Sequence, residues 1–199
     1  ARHYRSYMVA RSRSANEATP LPVGEGCTAR LSLMCHSMGC YLLRQCVDSQ
    51  SLESRSLGLF VGRVPLFDNI VLTAADVDSD EHLSWVGRLN PRHAVFICIN
   101  TDDRALWASD NVSGLDQPER LGNTLNHAQP AEKRHYVEVD MKLFNNTGPF
   151  QHSYHTSNKM GGKIEQLFRT MLHDEWRDDT WKDDNLKRRS DGTFYLSAL

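Results

Sequence analysis

No run in this chain approaches the roughly 20 apolar residues that a membrane-spanning helix requires, so no membrane span is expected. Neither sign of charge dominates. Lys and Arg number 23 against 25 Asp and Glu, a formal net charge of -2. Nucleic-acid binding rests on clustered cations that neutralise phosphates, and that balance argues against it. Cysteine is sparse: five residues, Cys27, Cys35, Cys40, Cys46 and Cys98, with no C-x-x-C pair among them. An odd, unpatterned set fits neither a disulfide framework nor a zinc site. No metal or other cofactor is therefore expected, and a reducing, cytoplasmic setting is the default. The opening Ala1-Arg-His-Tyr-Arg5 has neither the apolar stretch of a signal peptide nor an initiator Met, as in a chain cut from a longer one.

What is present is the make-up of one globular domain: 199 residues, 40% of them hydrophobic and 24% charged. Tyr4, Tyr7, Met8 and Arg11 recur at helical spacing and predict a short amphipathic helix, followed by a Pro- and Gly-rich loop. Ala29-Arg-Leu-Ser-Leu-Met-Cys35 is short and turns fully apolar, as a buried strand does; Tyr41, Leu42, Leu43, Cys46 and Val47 then predict a helix. The unit recurs. Asn69 to Ala75 is a second strand-like run, and Ser79 is suited to cap a helix carrying Leu83, Val86 and Leu89. Ala94-Val-Phe-Ile-Cys-Ile99 is a third run, with a helix expected around Ala105 to Ala108. His135 to Asp140 alternates and reads as an edge strand, and Ile164, Leu167, Phe168, Met171 and Leu172 form one helical stripe. Strands alternating with helices predict an α/β fold whose mostly parallel sheet is covered on both faces. The expected organisation is an N-terminal helix and loop over residues 1–28, a core over 29–173 and a charged, solvated tail over 174–199.

In parallel sheets functional groups gather at the C-terminal ends of strands, where Cys35-His-Ser-Met-Gly39 falls. This is G-x-S-x-G with Cys in place of the first Gly. A serine at the tip of so sharp a turn needs small residues two positions away on each side, which Gly39 supplies fully and Cys35 in part. The competing reading is that Ser37 only caps the following helix. His152 and His155 spell H-x-x-H, but no third ligand follows at a recognisable interval. Asp76 and Asp78, at the end of the second strand run, suit either a catalytic acid or favourable charge at the Ser79 helix.

His36-Ser-Met-Gly-Cys-Tyr-Leu-Leu43 resembles the nucleophile elbow of an uncharacterised esterase/lipase-like family of α/β-hydrolases. Asn69-Ile-Val-Leu-Thr-Ala-Ala-Asp-Val-Asp78 is similar to that family's next strand. Asn100-Thr-Asp-Asp-Arg-Ala-Leu106 with Arg120-Leu-Gly122 resembles its acid-bearing segment, and Gln151-His-Ser-Tyr154 its histidine loop. The likeness spans roughly residues 30 to 170. It implies an α/β-hydrolase-type sheet and the chain order serine, acid, histidine. Carried onto this sequence, that order makes Ser37 the nucleophile, Asp103 the acid and His152 the base. The N–H of Met38 becomes one donor of an oxyanion hole. Asp102 rivals Asp103, and His155 rivals His152.

The resemblance implies a carboxylic ester as the small-molecule substrate, cleaved through an acyl-enzyme. Only 36 residues precede Ser37, and no clear strand lies among them ahead of the elbow strand, so the fold is expected to lack its N-terminal strands. The elbow strand's edge is then open to a second copy of the chain, making a homo-oligomer. A catalytically weak scaffold or partner-binding domain is the alternative.

Overall fold

In the computed structural model the apolar runs become neighbouring strands of one sheet, which has six strands among the described residues. The structure describes residues 30–49, 65–80, 82–111, 119–125, 136–144, 148–156, 162–173, 186–188, 190 and 193–196. The helix and loop expected near the N-terminus lie outside them. Strand β1 (Leu33–His36) leads into helix α1 (Met38–Asp48), and β2 (Asn69–Thr73) precedes α2 (His82–Val86). Next come β3 (Ala94–Ile99), α3 (Arg104–Asn111) and β4 (Val137–Asp140). Short 3-10 turns at Lys142–Phe144 and Tyr154–Thr156 precede α4 (Lys163–His173), β5 (Leu186–Arg188) and β6 (Phe194–Leu196). The sheet order is β1-β2-β3-β4-β6-β5, parallel throughout except for the β5–β6 pair.

Side chains that alternate along a strand fill two separate cores. Ile70, Leu72, Val95, Ile97 and Ile99 pack with Cys40, Leu43 and Val47 of α1 and with Trp85 and Val86 of α2. Val71, Ala94, Phe96 and Cys98 point the other way, onto Ile164, Leu167, Phe168 and Met171 of α4. Every residue of β2 and β3 is buried, which explains why these strands read as unbroken apolar runs. The stripe on α4 is the face that covers the second core. The N–H of His82, which opens α2, bonds the Ser79 carbonyl at 3.3 Å, and of the expected helix residues Leu83 is exposed while Val86 and Leu89 are buried.

Two expectations are corrected. The alternating β4 is not an edge strand: it lies between β3 and β6, and Glu138 is buried beside Thr193, whose hydroxyl reaches its carboxylate at 3.4 Å. Residues 174–199 are not solely a solvated tail, because β6 pairs in parallel with β4 through Val139–Phe194 and Asp140–Tyr195. Phe194 is buried in the α4-side core. A three-residue strand is too short for its periodicity to stand out against flanking charge, and its place was fixed by β4. Among the described residues β1 has one partner strand, β2, and Met34 on it is exposed.

Candidate active site

The chain reverses at one residue between β1 and α1. Ser37 has φ 52° and ψ -125°, a backbone conformation costing a non-glycine residue about 1–3 kcal/mol and kept only where the surroundings hold it. They do. Ser37 N–H donates to the Thr73 carbonyl at 3.0 Å, while the Ser37 carbonyl accepts from Cys40 N at 2.9 Å and Asp76 N at 3.4 Å. The serine side chain makes no cap hydrogen bond to α1, so the capping alternative has no support in the geometry. Across the turn, a Cβ placed on Gly39 would meet the Cβ of Cys35 at 4.0 Å. That is ordinary contact, so the elbow has room for one methyl group. Burial of the Cys35 thiol, with a smaller contribution from Cys46, pushes its pKa up to about 11 and keeps it protonated.

Asp103 is buried at the tip of the β3–α3 turn and serves two elements at once. Its Oδ1 accepts the N–H groups of Ala105 and Leu106 at 3.0 and 3.1 Å, capping α3. Its Oδ2 lies 2.8 Å from His152 Nδ1. A carboxylate only accepts, so Nδ1 carries the proton and Nε2 is left free to take another. Asp102 instead pairs with Lys142 at 3.1 Å near the surface. The structure thus brings Asp103, and not Asp102, to the imidazole.

His36, the residue before Ser37, carries the histidine loop to the elbow. Its ring centroid is 4.8 Å from that of His152, and its Nε2 is 3.4 Å from the His152 carbonyl. Among the described residues no hydrogen bond joins the Ser37 hydroxyl to the His152 ring. His155 also packs on His36, 4.6 Å between centroids, and touches Phe168. Burial holds both His36 and His155 below the ordinary histidine range, and repulsion between the rings adds to it. Among the described residues no three His, Cys, Asp or Glu side chains are gathered as a metal site requires.

Asp76 and Asp78 are drawn into an ion-pair cluster. Arg120 takes both, with Nη1 2.7 Å from Asp78 and Nε 3.4 Å from Asp76, and also pairs with Asp110 at 2.8 Å. The same segment explains Gly122. A Cβ there would sit 2.2 Å from Ala75 N, because backbone packs on backbone at the end of β2. Gly122 N–H donates to the Ala75 carbonyl at 3.0 Å, and the Gly122 carbonyl accepts Asn100 N–H at 2.9 Å.

Two residues around the site carry roles that sequence reasoning missed. Tyr154 is fully buried; its hydroxyl donates to the Cys98 carbonyl at 2.9 Å and accepts from Ala74 N at 2.6 Å, tying the histidine loop to β2 and β3. Asn100, at the end of β3, bonds both the acid turn and the histidine loop. Both stood inside recognisable segments, but only distance in space gives them partners.

Residues 25–168 match the family described as alpha/beta hydrolase of unknown function (DUF900). Neither a curated protein nor a solved structure matches the chain.

Proposed function

Because this chain belongs to that family of α/β-hydrolases, we propose that it is a serine hydrolase that cleaves carboxylic esters through an acyl-enzyme. The observation that supports the reading is a strained Ser37 at φ 52° whose neighbour His36 packs, 4.8 Å between ring centroids, on a His152 hydrogen-bonded to Asp103 at 2.8 Å. In this mechanism His152 Nε2 accepts the Ser37 proton as Oγ attacks the ester carbonyl. Asp103 holds the tautomer and steadies the imidazolium, and His152 then returns the proton to the departing alcohol. A water, deprotonated by the same ring, releases the acid and restores the serine.

Negative charge develops on the carbonyl oxygen in the tetrahedral intermediate. The N–H of Met38, first residue of α1, lies at the positive end of that helix and donates there. The four described cysteines are all free, which fits a reducing, cytoplasmic compartment.

A fluorophosphonate probe tests the proposal. We expect one covalent adduct per chain at Ser37, located by peptide mass spectrometry, and none in Ser37→Ala. A folded wild-type protein that takes no label overturns it. One observation favours the second reading, a scaffold without turnover: β1 has a single partner strand among the described residues and could pair with a second copy. A stable homodimer in light scattering, together with no adduct, would select that reading.

A further inference from the structure

We propose that Asn100 is a positioning residue that sets the His152 imidazole against Asp103. The proposal rests on the Ser37–Asp103–His152 reading. Asn100 is fully buried where β3 ends, between the acid turn and the histidine loop. Its Oδ1 accepts Asp102 N–H at 3.2 Å, its backbone carbonyl accepts Asp103 N–H at 3.0 Å, and its Nδ2 donates to the Gln151 carbonyl at 2.8 Å. The amide orientation follows from these partners, since an N–H can only donate and a carbonyl can only accept. One short side chain thus grips the Thr101–Asp102 peptide of the acid turn and the peptide before His152, while the backbone carbonyl of the same residue holds the N–H of Asp103.

The histidine loop needs that grip. Gln151 has φ 52°, a strained conformation for a non-glycine residue, and its carbonyl belongs to the peptide that carries the His152 nitrogen. Releasing that carbonyl lets the peptide rotate and swings the His152 ring away from Asp103. Other ties hold the loop at different points: Arg104 N–H to the Phe150 carbonyl at 2.9 Å, His36 Nε2 at 3.4 Å from the His152 carbonyl, and Tyr154 to β2 and β3. They keep the loop on the sheet without fixing the Gln151–His152 peptide. Only an amide of this length offers an acceptor to one turn and a donor to the other. Aspartate keeps the acceptor but sets a carboxylate oxygen against the Gln151 carbonyl, and serine keeps at most a weaker acceptor for Asp102 N–H while losing the reach to that carbonyl.

The test uses full-length Asn100→Asp and Asn100→Ser, each checked for native circular dichroism. Proton NMR of the His152 Nδ1–H, with fluorophosphonate labelling of Ser37 beside it, supplies two separate readouts. We expect the hydrogen-bonded Nδ1 proton of the wild type to broaden or vanish in both variants, and labelling to slow about 10- to 100-fold, the scale of a misplacement near 1 Å. An unchanged Nδ1 signal in either folded variant overturns the proposal. Wild-type protein that shows the Nδ1 signal yet takes no label would defeat the hydrolase reading and leave the Asn100 comparison decisive by NMR. Should both variants fail to fold, hydrogen exchange in the wild type decides. If one opening frees both, the Asn100 Nδ2 and His152 Nδ1 protons must give the same opening equilibrium once each rate is divided by its intrinsic exchange rate, and unequal opening equilibria would overturn the role.

Discussion

At the scale of single residues the site is a meeting of three imidazoles and one carboxylate, and its protonation is coupled to stability. Burial disfavours the charged forms of His36 and His155, so their folded pKa values lie below the 6.5 of a free histidine. The unfolded chain therefore binds protons first as pH falls. Stability is fully present above about pH 6.5 and is lost as pH drops from there toward the lowered native values, levelling off beneath them. Urea midpoints measured between about pH 7.5 and 5.5 should fall with pH in the wild type and flatten in a His36→Gln/His155→Gln double variant. An equal slope in both proteins would place the titration elsewhere. Both rings are partly exposed, so solvent screens much of the effect.

At the scale of elements, turns decide the geometry. Asp103 caps α3 with one oxygen and holds His152 with the other, so the start of that helix and the orientation of the imidazole are one structure. Gly122 allows the segment after α3 to lie directly on the end of β2. Gly122→Ala drives a methyl into the Ala74–Ala75 backbone, which cannot yield as a side chain would. A loss of at least about 1–3 kcal/mol in chemical denaturation is expected. Gly39→Ala is the contrast, with its nearest neighbour at 4.0 Å. Within a helix that change should be neutral or stabilising by up to about 1 kcal/mol. If both glycines behave alike, the packing difference assigned to them is wrong.

At the scale of the whole molecule, the sheet is extended by β6, which the charge-dense C-terminal sequence conceals. Phe194 lies in the core with Val139 and Met171, and the Arg188 guanidinium stands 5.8 Å above its ring. Phe194→Ala should cost about 3–5 kcal/mol, as for other buried phenylalanines, where an exposed tail residue would cost no more than about 0.5. A shift in thermal midpoint too small to resolve would return residues 194–196 to the solvated segment.

Much of this was legible along the chain. Apolar runs of strand length between helical stripes contained the parallel sheet, since burial on two faces demands apolar side chains on both. The elbow around Ser37 was visible as a local motif, because a sharp turn constrains neighbouring residues, whereas the acid turn and the histidine loop were visible through the family resemblance alone. Choices between near-equals were not visible. Asp102 and Asp103 are adjacent and chemically identical, and His152 and His155 sit three positions apart. Only the packing of α3 and of the histidine loop on the sheet aims one of each pair at the other. The work of Asn100, Tyr154 and Arg120 was hidden for the same reason. Local pattern records what a residue needs from its neighbours in sequence, whereas a hydrogen bond between residues some fifty positions apart exists only once the strands between them are in register.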